Sequence, residues 1–233
     1  MGVIVWGLEW RLALSRKRDL TLRIVAPLSL VLVVATGAVP AAVGAASYVV
    51  LFVAFGVLGT ALRLLRDGEE GITSRVVRGG VSPKSYLLQR AAVGAVLAFV
   101  QLLPAALVAA AFLNASTSEV LIALVALAGS LWIGSLLGIV VAAVGRSGTE
   151  VTVVCGVGLV LLLHMSGVFH AASPAGLGGM LEAASPFRAL HEAFVTMVAG
   201  GAERGGLAAA AWALALPVLV GSLAPRLTAA MER

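Results

Sequence analysis

Charge is scarce in this sequence. Of its 233 residues 12% are Asp, Glu, Lys or Arg and 61% are hydrophobic, against roughly 25% and 45–50% in soluble domains. Too little polar surface remains to cover one or two water-soluble domains, so a soluble fold is excluded and the main solvent is lipid. Lysine is scarcer still. Lys17 and Lys84 follow Arg16 and Pro83, which leaves no GxxxxGK phosphate loop, so the chain cannot be its own P-loop ATPase. A single cysteine, Cys155 in an apolar run, excludes an intrachain disulfide, a CxxC redox centre and Cys-pair metal sites. His191-Glu192 lacks the second histidine of HExxH, because position 195 is Val195. His164, His170 and His191 could meet on a metal or haem, but no carboxylate or cysteine pattern supports them. No catalytic residue, metal ligand or cofactor is therefore expected in this chain. The net charge of +5 is too sparse and too segregated to point to nucleic acid.

What is abundant is long apolar sequence. Stretches without Asp, Glu, Lys or Arg run over 24–62, 91–118, 120–145, 151–181 and 205–225. A spanning helix needs about 20 apolar residues, so each of the last four holds one crossing. The first would be about 58 Å long as continuous helix, nearly two bilayer cores, and Gly37-Ala38-Val39-Pro40 breaks it near its middle. It is read as two helices, with Arg23 and Arg63 snorkelling to the interface. Six spans are expected, at about 20–38, 42–65, 86–113, 119–144, 150–169 and 205–226, in one all-α polytopic membrane domain covering 1–233. Transmembrane strands would alternate apolar and polar residues, and runs such as 120–127 and 151–163 do not. Arg16-Lys17-Arg18, the apolar 24–34 and the small residues over 38–46 mimic the regions of a signal peptide. The tryptophan-bearing segment ahead of those charges fits a leader poorly, and the run is expected to be a retained span.

Charge distribution sets the orientation. With six spans, fourteen of the sixteen Lys and Arg fall on the side of the two termini, and only Arg188 and Arg204 on the other. The positive-inside rule then puts both termini in the cytoplasm.

Three polar segments remain. Residues 2–18 carry Trp6 and Trp10 four apart, followed by Arg16-Lys17-Arg18, which predicts an interfacial helix or a simple topology anchor. Residues 66–84 form the most charged segment. Glu69 and Glu70 sit where a helix would start, Ile72 and Val76 share one face, Arg75 and Arg78 line another, and Gly79-Gly80 stops it. This is a short surface helix over 69–79, either a docking helix for a partner or a solvated loop. Ser82-Pro83 then caps the next helix, with Tyr86 placed at headgroup depth. Beyond the fifth span, Ser185-Pro186 opens an amphipathic helix to about Val198. Phe187, Leu190, Phe194 and Met197 lie on its apolar side, and Arg188 and Glu192 form an i,i+4 pair. Too short and too charged to span, it is an external gate or a surface lid.

Polar groups inside the spans are few. Thr60, Gln101 and His164 are the candidates for a translocation path, with helix–helix hydrogen bonding as the alternative. Ser130, Gly134 and Gly138 make a small-residue ridge better suited to packing within one bundle than to a dimer face.

Glu70-Gly71, Arg75-Val76-Val77, Val81-Ser82 and Tyr86-Leu87-Leu88 together resemble the signature of ABC-2 type permeases, the membrane subunits of one class of ABC exporter. Gly80 stands where that family usually has proline, and Ile72-Thr73 reverses its usual Thr-hydrophobic order. The layout of the whole chain is similar too: an interfacial N-terminal helix, six spans, a coupling helix after the second and a long external segment after the fifth. The resemblance implies two permease copies in the bilayer of a bacterial or archaeal cell, identical or related, joined to separate ATP-binding subunits that carry ATP and Mg. It further implies that Glu69, Glu70, Gly71, Arg75 and Arg78 meet the ATPase, and that Phe187, Leu190 and Phe194 help close the outer end of the path. Cargo would be a hydrophobic or amphipathic drug, lipid or peptide. A haem-exporter-like B subunit of cytochrome c maturation is an alternative within transport. A non-ABC scaffold or intramembrane enzyme is an alternative outside it, although His164 has no catalytic partner at compatible depth.

Overall fold

The computed structural model describes residues 17–36, 41–166, 168–169, 177–199 and 206–231. Among these there is helix and turn but no strand. The helices are α1 (Lys17–Thr36), α2 (Ala41–Glu69), α3 (Ile72–Arg78), α4 (Pro83–Phe112), α5 (Thr117–Val144), α6 (Gly148–Met165), α7 (Leu177–Ala183), α8 (Arg188–Ala199) and α9 (Gly206–Met231). Five are long and apolar enough to cross a membrane: α4, α5 and α6 in full, with 44–69 of α2 and 210–231 of α9. The apolar stretch of α1, Thr21–Thr36, is shorter. The all-helical, multi-pass architecture is therefore as expected. The interfacial helix expected over 2–18 falls almost wholly outside the described residues.

Serines set where several helices begin. The Ser82 side chain accepts a hydrogen bond from the Ser85 N–H, with Pro83 in the first turn of α4. Ser116 and Glu119 form a reciprocal capping box at α5, the Ser116 N–H donating to the Glu119 carboxylate at 2.7 Å. The Ser147 hydroxyl accepts from the Glu150 N–H at α6. In each case a side chain satisfies an amide that has no partner within its own helix.

Two boundaries differ from expectation. The second span does not stop near Leu65 but runs on to Glu69, so Glu69 closes α2 and the short helix begins only at Ile72. The physical reason lies at Asp67, whose charge pairs with Arg90 and so does not have to turn outward to water. The first backbone to leave the helical region is Gly71, at φ 65°. At the other end of the bundle, the helix expected from Ser185-Pro186 begins at Arg188. The Ser185 hydroxyl is bonded to Ser166 instead.

α2 lies at the centre, packed against α1, α3, α4, α5, α6, α8 and α9. Its closest neighbour is α5, because Gly134 and Gly138 present no side chain to it. A Cβ on Gly138 would stand 2.7 Å from the Val57 carbonyl oxygen, so the small-residue ridge packs inside this bundle, as its spacing indicated. Pro217 in α9 cannot donate to the carbonyl of Ala213 four residues earlier. The Trp132 indole N–H on α5 donates to that carbonyl instead, at 3.2 Å. A backbone group that lipid could not satisfy is thereby paired, and α9 is fixed to α5. Val33, Val125, Val157, Leu214 and Val218 are exposed on the outer faces of α1, α5, α6 and α9, where a hydrocarbon solvent suits them.

Candidate functional site

The charged segment makes a compact projection from the bundle. After α2, the Glu70 N–H bonds the Arg66 carbonyl and the Gly71 N–H bonds that of Gly68, and the left-handed backbone of Gly71 reverses the chain into α3. The Gly71 carbonyl then accepts from the Arg75 N–H, from the Ser74 hydroxyl and from Arg75 Nε. Arg75 Nη2 donates to the Glu70 carbonyl at 2.8 Å, and Arg78 reaches back to Ser74. These contacts hold both guanidinium groups along the helix. Glu69, Glu70, Arg75 and Arg78 are all exposed. Gly80, at φ 89°, ends α3 with the Val81 N–H on the Val76 carbonyl and the Gly80 N–H on that of Val77, a Schellman closure. A proline at position 80 could not take up that φ.

The other face of α3 is anchored. Thr73 is fully buried, and its hydroxyl lies 3.3 Å from that of Tyr86 on α4. Tyr86 donates to Asp67 Oδ2 at 2.9 Å, and the same carboxylate oxygen is paired with Arg90 Nη2. The Tyr86 proton is committed to Asp67, so in the Thr73 contact the threonine is the donor. A directional chain therefore runs from Thr73 through Tyr86 to Asp67, with Arg90 closing it from α4. Tyr86, in the first turn of α4, is 1% exposed, and its hydroxyl faces a buried carboxylate.

At the opposite end, α8 turns its apolar face into the bundle. Phe187, Leu190 and Phe194 are buried, and the Phe194 ring lies 5.4 Å from that of Tyr48 and 5.6 Å from that of Phe52. Arg188 pairs with Glu192 at 2.6 Å, as the i,i+4 spacing predicts, and with the buried Glu182 of α7 at 3.7 Å. Burial lowers the pKa of His191 beside them, against the opposing influence of Glu192 and Glu182. The Trp212 indole of α9 donates to the Ala184 carbonyl at 2.6 Å.

The three path candidates are not gathered in one place. Thr60 is buried and donates to the Ser135 hydroxyl of α5 at 3.1 Å, beside Gly94 of α4. Gln101 is buried about two turns further along α4. His164 is exposed near the Met165 end of α6, which the connectivity places opposite the Glu69 end of α2. A crevice lined by Thr60, Arg63, Leu64, Arg90, Val93 and Gly94 has a volume of about 10 Å³, room for one water and no cargo. Among the described residues no three His, Cys, Asp or Glu side chains gather as metal ligands; His170 lies outside those residues.

A family model described as ABC-2 type transporter matches residues 3–197. The chain belongs to the ABC-2 type transporter family. Comparison with curated proteins and with solved structures gave no match. In the signature by which this permease resembles the family, Tyr86 and Leu87 are buried, and the charged residues Glu70 and Arg75 are exposed. What sequence reasoning missed in the permease is the polar layer beneath them. Asp67 and Arg90 carry no motif of their own, and Thr73 stands in the signature without any sign that it is buried. The available signal was spacing, since Asp67 and Arg90 are opposite charges at the facing ends of consecutive spans, and Glu182 escaped notice in the same way.

Proposed function

We propose that this permease is the membrane-spanning subunit of an ATP-driven exporter, with ATP and Mg handled by a separate ATP-binding subunit that docks on α3. The observation that carries this is the two-sided construction of α3. Glu70, Arg75 and Arg78 face outward for a partner, while Thr73 on the opposite face is locked to α4. A helix that merely kept charges out of lipid would not need a buried polar anchor.

In this reading α1 is the first of six spans, both termini and α3 are cytoplasmic, and α8 lies at the outer end. Two permease copies, identical or related, enclose a path between them, as the resemblance to the family implies. Outward movement of a hydrophobic or amphipathic drug, lipid or peptide follows from the resemblance to exporter permeases and from the apolar character of the spans.

The test is co-purification with the ATP-binding subunit of the same transporter, using Glu70→Arg and Arg75→Glu. Capture and permease-dependent ATP hydrolysis are expected to fall about tenfold or more in each, because a reversed charge sets like charges against each other across the interface. Unchanged capture and hydrolysis in both variants would remove the docking assignment.

A further inference from the structure

We propose that the Thr73–Tyr86–Asp67–Arg90 chain is the mechanical tie by which movement of α3 reaches the membrane-spanning helices, and that Tyr86 is its central positioning residue. The inference deepens the docking reading above and rests on it.

A short helix pushed from outside can move the spans only through contacts that resist sliding. Apolar contacts are non-directional and allow α3 to slip, whereas hydrogen bonds in a dry site hold a fixed geometry and are costly to break without replacement. α3 has only two covalent tethers. One is the turn at Glu70 and Gly71, and the other is the Gly79-Gly80 closure, and both pass through glycines with positive φ or no side chain. Neither is built to transmit a lateral force. Thr73 supplies what the tethers lack: a hydroxyl at 0% exposure bonded to Tyr86, one turn into α4.

Tyr86 is itself held at Asp67, two residues before the end of α2, and Asp67 is held by Arg90, one turn deeper on α4. The four side chains thus join α3 to both α2 and α4. The Arg90 guanidinium also lies over the Tyr86 ring, 5.8 Å from its centroid. Gly68, next to Asp67, lies directly against the Met231 carbonyl of α9, so a displacement of this junction is passed to the last helix as well. One hydroxyl, that of Tyr86, is the link between the α3 part of the chain and the ion pair.

Tyr86→Phe removes both hydrogen bonds of that hydroxyl and leaves the ring, the ion pair and the exposed docking face in place. Thr73→Val removes only the first bond. The experiment uses the complex of full chain and co-purified ATP-binding subunit in liposomes, carrying Ala183→Cys near α8 and Cys155→Ala. Labelling of Cys at 183 by a membrane-impermeant maleimide is compared without nucleotide and after trapping with ATP, Mg and vanadate.

In both variants, ATPase capture and ATP hydrolysis are expected to stay within about twofold of wild type. The nucleotide-dependent change in labelling should fall about fivefold, the worth of one hydrogen bond, and Thr73→Ser should restore it relative to Thr73→Val. Amide exchange over 72–78 should rise in Tyr86→Phe. A full labelling change in both variants would overturn the tie. Loss of ATPase capture in both would also overturn it, because the chain would then serve docking alone. If the wild-type complex shows no nucleotide-dependent labelling change, the ATP-driven reading itself fails and the tie falls with it. Failure of Glu70→Arg and Arg75→Glu to affect capture removes the docking face, and with it the push on α3 that the tie would carry.

Discussion

Trp132 and Pro217 form a pair whose energetics can be separated cleanly. Proline at 217 deprives the Ala213 carbonyl of its helical donor, and the Trp132 indole replaces it at 3.2 Å. Trp132→Phe should leave that carbonyl unpaired beside a partly buried ring, at a cost of about 1–2 kcal/mol beyond lost packing. In a Pro217→Ala background the N–H of residue 217 reaches the Ala213 carbonyl, so the indole bond becomes redundant. The same substitution there should lose only its packing contribution. The coupling energy of the double-mutant cycle is therefore expected to be about 1 kcal/mol, near the upper range of interhelical hydrogen bonds measured in membranes. Reversible unfolding in mixed micelles, followed by far-UV circular dichroism, measures all four corners. A coupling below about 0.3 kcal/mol would refute the argument that the tryptophan is there to serve an orphaned carbonyl.

Other expectations follow from local geometry. Gly138→Ala drives a methyl to within 2.7 Å of the Val57 carbonyl oxygen and 3.1 Å of Thr60 Cβ, so α2 and α5 must separate. A loss of about 1–3 kcal/mol is expected in the same unfolding assay, and Gly129→Ala, with open space around it, should be neutral. His191 has a lowered pKa through burial, so it takes up a proton more readily when unfolded. Its contribution to stability is complete above its ordinary value, about 6.5, and is lost as pH falls through the lowered folded value. Amide exchange in α8 should accordingly rise on acidification through that window, and His191→Gln should flatten the response.

The charged segment illustrates how far pattern alone could go. Its helix, its glycine stop and the outward positions of Arg75 and Arg78 are legible because exposed charges and helix-ending glycines obey local rules. The start of α3 is misplaced by three residues, because acidic residues commonly open helices and nothing local shows that Glu69 belongs to the preceding span. The partner of Tyr86 is not legible for a similar reason. A tyrosine near a span end ordinarily sits at the interface, and only the arrival of Asp67 from another helix gives its hydroxyl a buried partner. At the far end, the i,i+4 pair of Arg188 and Glu192 and the apolar spacing of α8 are local and legible. That this face closes on Tyr48 and Phe52 depends on residues some 140 positions earlier in the chain.

The sequence by itself determined the lipid solvent, the helical, multi-pass class and the family, since 61% hydrophobic residues and charge-free runs constrain the chain whatever its packing. Tertiary structure decided which few polar groups meet. Asp67 with Arg90, Thr60 with Ser135 and Trp132 with the Ala213 carbonyl each come from different helices. In a low-dielectric bundle a polar group must be paired or pay for its burial. The choice of partner depends on how neighbouring helices are rotated and staggered, which no single run of sequence specifies.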